Sequence, residues 1–416
     1  MTAAPTSVRH VRLPERALAD PRRWPLAVQA MAVCALLRLV SGILIALASR
    51  DQVPFAPWTG AHPGYVDMTV LWDGSWYREI ALHGYPVPLP RGADGLVGQN
   101  AWAFYPLFPM VSRFVMALTG LSFPVVGSTL ALIAGIAAGG AMASLLARKV
   151  PRSAALGAVA VWAAFPAAPS LQIAYTESFA ILLLCWYLLR VLDRRWWTAG
   201  AVGVLIGLTR PIAVPLGVVL VVALVVRWRR RPTDPVTTSE WVSAGAGVLL
   251  TGAGAIAWTV IAGLVTGVPD AYTQTMAAWR GNHTIVPLTP WVGVAEWLFA
   301  STGHPALYAW SLLALLVVAI VVSMAGPWAA ALGPELRAWT LAYPAYLALV
   351  LDPFTSVFRY LLPMFPVAVV LVGGGRGPIG RAVKVRTALL VVLGVIGQVV
   401  WIWQLLVFVP PADYPP

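Results

Sequence analysis

The chain has 416 residues, 59% of them hydrophobic and 11% charged. A soluble domain carries roughly 25% charged residues, so this composition cannot cover a water-facing surface and excludes a soluble fold. The net charge of +12 comes from short basic clusters between apolar runs, the placement expected of membrane topology, and implies no nucleic-acid partner.

Residues 1–25 read as a cytoplasmic tail carrying Arg9, Arg12, Arg16, Arg22 and Arg23. The apolar run 26–48 follows and ends in Ala46-Leu47-Ala48, which resembles a signal-peptidase site. A signal core is only about 7–15 apolar residues long. This run is longer and holds Arg38 midway, so an uncleaved first transmembrane helix is expected. Further apolar spans lie at 122–147, 153–170, 174–191, 196–209, 211–227, 241–266, 305–325, 338–351, 356–373 and 387–408. Several middle spans are short for a crossing of about 20 residues and are expected to be tilted, broken or re-entrant. The expectation is one integral membrane domain over 1–416, an all-α polytopic bundle of about eleven transmembrane helices.

Charge fixes the expected orientation. With the N-terminus in the cytoplasm, twenty of the 28 Lys and Arg fall in inside segments and seven outside, with Arg38 within the first span. Acidic residues do the reverse: Asp51, Asp67, Asp73, Glu79, Asp94, Glu177, Asp270, Glu296, Asp352 and Asp413 all fall outside. The C-terminus is then outside, as are the two long loops, 49–121 and 267–304. Both loops are rich in Trp, Tyr and Pro and read as packed caps on the membrane surface, the first with interfacial helices. No internal repeat is visible, which weakens a secondary-transporter reading. Cys34 and Cys185 both lie in apolar runs and read as small core residues.

The densest polar constellation is the run from Leu71-Trp72-Asp73 to His83-Gly84-Tyr85. Apolar or aromatic residues at 72, 76, 77, 80 and 81 have helical spacing, so an amphipathic interfacial helix is expected, ending at Gly84. Asp73 has two readings. It can cap the helix, or, walled by Trp72 and Trp76, act as a general base on a sugar hydroxyl. Ala103-Phe104-Tyr105-Pro106-Leu107-Phe108-Pro109 reads as an interfacial aromatic turn, since two prolines three apart do not fit a helix interior. Its other reading is a wall for a sugar ring or lipid tail. Arg210 and Arg359 sit at outside helix ends, where guanidinium can pair with a lipid phosphate or make an ordinary salt bridge, for instance with Glu177. Arg280 and His283 in the second loop read first as solvated loop residues, with His283 kept as a substrate-contact candidate. Arg38 reads as a charge of the bundle interior. No Walker loop, Rossmann fingerprint, HExxH or GxSxG occurs, and no cluster has metal-ligand spacing. No metal and no cofactor are therefore expected.

Together these segments resemble the PIG-V-type mannosyltransferases, which include the enzyme adding the second mannose in GPI-anchor assembly and related bacterial proteins. The resemblance rests on Trp72-Asp73 to Gly84-Tyr85, Ala103 to Pro109, Ala174-Tyr175-Thr176-Glu177-Ser178, Thr209-Arg210-Pro211 and Phe358-Arg359-Tyr360-Leu361-Leu362-Pro363, in that order from about 72 to 366. It implies a GT-C glycosyltransferase fold using a polyprenyl-phosphate sugar, and it carries the essential first-loop acid onto Asp73. The expected reaction is transfer of mannose to a glycolipid or glycan acceptor on the extracytoplasmic face. Asp73 is the base, Arg210 or Arg359 holds the leaving phosphate, and Trp72, Trp76, Tyr105, Glu177 and Tyr360 contact substrate. The Ala-, Gly-, Pro-, Arg- and Trp-rich composition suggests a GC-rich bacterial genome, hence a plasma membrane and no GPI acceptor. A lipid-linked-sugar flippase, or a GT-C enzyme transferring another sugar such as arabinose, are the alternatives.

Overall fold

The computed structural model describes residues 23–54, 59–60, 63–281, 284–373, 380–410 and 414–416. Most of the expected tail, and His283, Arg376 and Asp413, lie outside the described residues. Among the described residues the regular structure is helical, with no strand and one isolated bridge between Arg91 and Val97. In chain order the longer helices are α1 (Leu26–Ala48), α2 (Asp73–His83), α3 (Leu107–Thr119), α4 (Phe123–Leu146), α5 (Arg152–Ala163), α6 (Glu177–Leu192) and α7 (Trp196–Gly207). They continue with α8 (Ala213–Arg229), α9 (Thr238–Thr266), α10 (Ala271–Ala278), α11 (Thr289–Leu298), α12 (Pro305–Ala325), α13 (Gly333–Val350) and α14 (Arg381–Trp401), which runs on as a π-helical turn, Ile402–Leu406.

Five of these, α1, α4, α9, α12 and α14 with its extension, are long and apolar enough to cross a membrane. Leu249, Ile256 and Leu264 on α9, Leu315 and Val317 on α12, and Leu389, Leu393 and Ile396 on α14 are exposed. Uncovered apolar faces of this kind need hydrocarbon as solvent, so this is a helical membrane protein. The remaining apolar runs form shorter or broken helices. The run 153–170 leaves the α-helix after Ala163, ahead of Pro166, and resumes only as a 3-10 turn, Ala168–Leu171. The run 356–373 is no single span: it divides into the turns Val357–Tyr360, Leu362–Met364 and Pro366–Leu371, because Pro363 and Pro366 supply no N–H for a continuous ladder.

The core follows from small residues. α1 packs on α4 and α5, α4 on α6, and α7 on α9. The last pair is a Gly-to-Gly contact: a Cβ on Gly207 would strike the backbone of Gly254, and one on Gly200 would reach the Gly247 carbonyl at 2.8 Å. Without a hydrophobic force between helices in lipid, such close backbone approach is what holds a pair together. Arg38 of α1 is buried and donates to the carbonyls of Ala163, at 2.6 Å, and Ala168. Gln398 of α14 donates to the Ala164 carbonyl at 3.1 Å. A helix ending inside the bundle leaves orphan carbonyls, and these two side chains satisfy them at the end of α5.

The two long loops pack together as one cap. The first loop also packs on α9, where Trp102 stacks on Trp258 at 5.1 Å and the Trp258 indole donates to the Trp102 carbonyl at 3.0 Å. Asn100 donates to Thr275 at 3.1 Å and Arg91 to Gln274 at 3.3 Å. The expected interfacial turn at 103–109 differs in one respect: Pro109 lies inside the first turn of α3, with Pro106 just before it. N–H groups of a first turn have no intrahelical partner, so both prolines are accommodated there.

Candidate active site

Four charged side chains from distant segments converge beneath the cap: Asp73, Glu177, Arg210 and Arg359. α2 begins after Trp72, whose φ of 56° is a conformation that costs a bulky residue about 1–3 kcal/mol. The residue is held there by its indole N–H, which donates to the Leu406 carbonyl at 3.1 Å, and by an edge contact with Phe408 at 5.2 Å. The bend makes Asp73 the first residue of α2 and not its cap. Its carboxylate instead reaches across the fold, accepting from Arg359 Nη2 at 2.9 Å through Oδ2.

Glu177 opens α6, where the helix dipole favours a carboxylate. Its Oε1 accepts from Arg210 Nη1 at 2.6 Å and from Arg359 Nη1 at 2.7 Å. The salt-bridge alternative for Arg210 is thus what its guanidinium makes in this structure. Arg210 stands in the unwound link between α7 and α8, donates to Thr176 Oγ1 at 3.2 Å, and lies 4.9 Å over the Tyr360 ring. Tyr77 completes the line with its hydroxyl 3.3 Å from the same Thr176 oxygen. Arg359 spends its Nε on the backbone oxygen of Pro416 and lies 4.7 Å over the Tyr175 ring. Among the side chains, two guanidinium groups are thus set against two carboxylates, the pairing that buried charges require.

The set is graded in depth. The side chains of Arg359 and Glu177 are each 3% exposed, Arg210 12% and Asp73 28%. Asp73 and Arg210 line a cavity of about 350 Å³, while Arg359 and Glu177 stand behind its wall. That size falls within the range of small-molecule pockets, about 300–1,000 Å³. The cavity is also lined by Thr176, Arg280 and the tyrosines Tyr77, Tyr105, Tyr272, Tyr343, Tyr346 and Tyr360. The Tyr105 and Tyr272 hydroxyls are 3.0 Å apart. Burial pushes both phenols above their usual range, so each stays a neutral hydroxyl able to donate and accept. The wall thus sets one carboxylate, two guanidinium groups and several phenols beside apolar side chains such as Phe104, Ile212, Met276 and Leu347.

Some expected contacts are placed elsewhere. Trp72 packs toward the C-terminal segment and does not line the cavity. Trp76 stacks on Phe104 at 5.5 Å and meets Trp279 edge-on at 5.3 Å, so it backs the Phe104 wall and does not itself face the cavity. Tyr105 and Tyr360 do line it. Arg280 is no solvated loop residue: it faces the cavity, donates to the Val350 carbonyl at 3.1 Å and lies 3.6 Å from Asp352. Tyr272, Tyr343 and Tyr346 were not singled out from the sequence; two of them sit inside an apolar span, where their spacing gives no sign of a cavity. Neither a family model nor a curated protein sequence matches the chain.

Proposed function

We propose that the protein is a multi-pass membrane glycosyltransferase of the GT-C type, moving a sugar, mannose in this reading, from a polyprenyl-phosphate donor to a glycolipid or glycan acceptor. The observation that carries the reading is the shared cavity wall: a partly exposed carboxylate, Asp73, and a guanidinium, Arg210, both held in place by Arg359 and Glu177. An acceptor hydroxyl attacks the anomeric carbon as the bond from that carbon to the phosphate oxygen breaks. Asp73 takes the hydroxyl proton, and the electron pair leaves on the lipid phosphate. Arg210 meets the charge that develops there, which is electrostatic catalysis. Phosphate is a good leaving group, so one carboxylate suffices and the glycosidase pair is not needed. The reading also carries about eleven crossings, a cytoplasmic N-terminus, a bacterial plasma membrane and an extracytoplasmic site.

The test is transfer from radiolabelled polyprenyl-phosphate mannose in membranes carrying Asp73→Asn, with insertion and folding checked by detergent-extracted monodispersity. Loss of a general base predicts a fall of about 100-fold or more. Near-wild-type turnover would remove Asp73 from the reaction.

A further inference from the structure

A second cavity, of about 280 Å³, lies at the opposite ends of the same helices. α6 starts at Glu177 and α8 just after Arg210, yet this cavity is lined by Val191 and Leu192 from the end of α6 and by Ala223, Val226 and Arg227 from the end of α8. A helix of α8's length spans about 25 Å at 1.5 Å per residue, so the two cavities are separate, and they share no lining residue.

Its wall is cationic. Arg148, Lys149, Arg194, Arg227 and Arg230 line it against a single carboxylate, Glu335. The other acids reach these cations from outside: Asp193 lies 3.2 Å from Arg148, Asp234 2.6 Å from Arg194 and Glu240 2.7 Å from Arg227. Among the described residues Arg230 makes no ion pair within 4.0 Å. The inner wall, formed by Val191, Leu192, Ala223 and Val226, is aliphatic. Trp197, Trp228 and Trp241, near the same helix ends, are exposed. Exposed tryptophans at helix ends mark the headgroup level of a bilayer.

We propose that this cleft binds a phosphate headgroup, with the anionic phosphate of a membrane lipid as its ligand. The cations take the phosphate oxygens, Arg230 first among them because no carboxylate lies within 4.0 Å of its guanidinium among the described residues. The aliphatic wall takes the start of the lipid's glycerol and acyl chains. Basic pockets between helix ends are suited to such headgroups, and the tryptophans favour a lipid over a soluble ion.

The experiment is native mass spectrometry of the full-length protein from neutral-detergent micelles doped with phosphatidic acid, with phosphatidylcholine as the control lipid and inorganic phosphate as the soluble competitor. Selective retention of phosphatidic acid is expected. Arg230→Gln should lower it about five-fold, the worth of one basic contact near a headgroup, with Arg148→Gln acting in the same direction. Retention that inorganic phosphate does not displace supports the lipid as ligand. Displacement by inorganic phosphate at equal concentration overturns the lipid assignment in favour of a soluble phosphate. No selectivity over phosphatidylcholine, or retention unchanged in both variants when each is monodisperse, overturns the site.

Discussion

Arg359 engages all three of its nitrogens within the protein. Nη2 holds Asp73, Nη1 holds Glu177, Nε holds the backbone oxygen of Pro416, and the flat face rests on Tyr175. In the proposed reaction Arg359 is therefore a positioning residue that acts through Asp73 and Glu177, while Arg210 faces the cavity. Lysine keeps the charge but lacks the planar fork that bridges two carboxylates. Arg359→Lys should thus lower kcat by about 100-fold, the cost of a misplaced catalytic group near 1 Å, with donor KM little changed. Arg210→Lys should raise donor KM as well. Steady-state transfer kinetics separate the two, and a rise in KM for Arg359→Lys equal to that for Arg210→Lys would place both on the donor. Each of the four charges was visible in the sequence as a separate fragment. A salt bridge to Glu177 was an open alternative; the meeting of all four was not legible, because Asp73 and Arg359 are 286 positions apart and only the packing of the helices between them brings the two together. The cap reading of Asp73 was equally open from spacing; the partner 286 positions away decides what the carboxylate does.

At the scale of helices, apolar length was legible and interruption was not. The runs at 26–48, 122–147, 241–266, 305–325 and 387–408 each correspond to one long helix, because nothing within them opposes continuous hydrogen bonding. Arg38 looked like an isolated charge in an apolar run. Its reason lies in another segment, in the carbonyls of Ala163 at the end of α5 and of Ala168 beyond it. Glycine shows the same dependence on context. Gly207 and Gly254 touch backbone to backbone across α7 and α9, whereas a Cβ on Gly217 of α8 would meet nothing within 4 Å. Gly207→Ala should therefore destabilise the protein by about 1–3 kcal/mol through overpacking. Gly217→Ala should be neutral or stabilising by up to about 1 kcal/mol, since alanine is the better helix former. Thermal unfolding of both variants in the same detergent checks the contrast; equal shifts would mean that the α7–α9 contact yields without cost.

For the molecule as a whole, chain direction ties the two cavities to two faces. α6 runs from Glu177 toward Arg190 and α8 from the Arg210 end toward Arg227, so each helix has its site charge at one end and basic residues at the other. The loops that cap the first cavity carry Asp94, Asp270 and Glu296, while the turn after α8 carries Arg230 and Arg231. Because Lys and Arg are retained inside, the outer face is the side we propose for the capped cavity. Single cysteines test this assignment against a clean background, because Cys34 and Cys185 are both buried. Leu96 in the first loop and Thr233 in the turn after α8 are exposed and suit substitution. In intact cells, a membrane-impermeant maleimide should label Leu96→Cys and leave Thr233→Cys unlabelled until the membrane is opened. The reverse pattern would turn the protein over, put the Asp73 cavity in the cytoplasm, and leave a donor presented at the outer face without access to it.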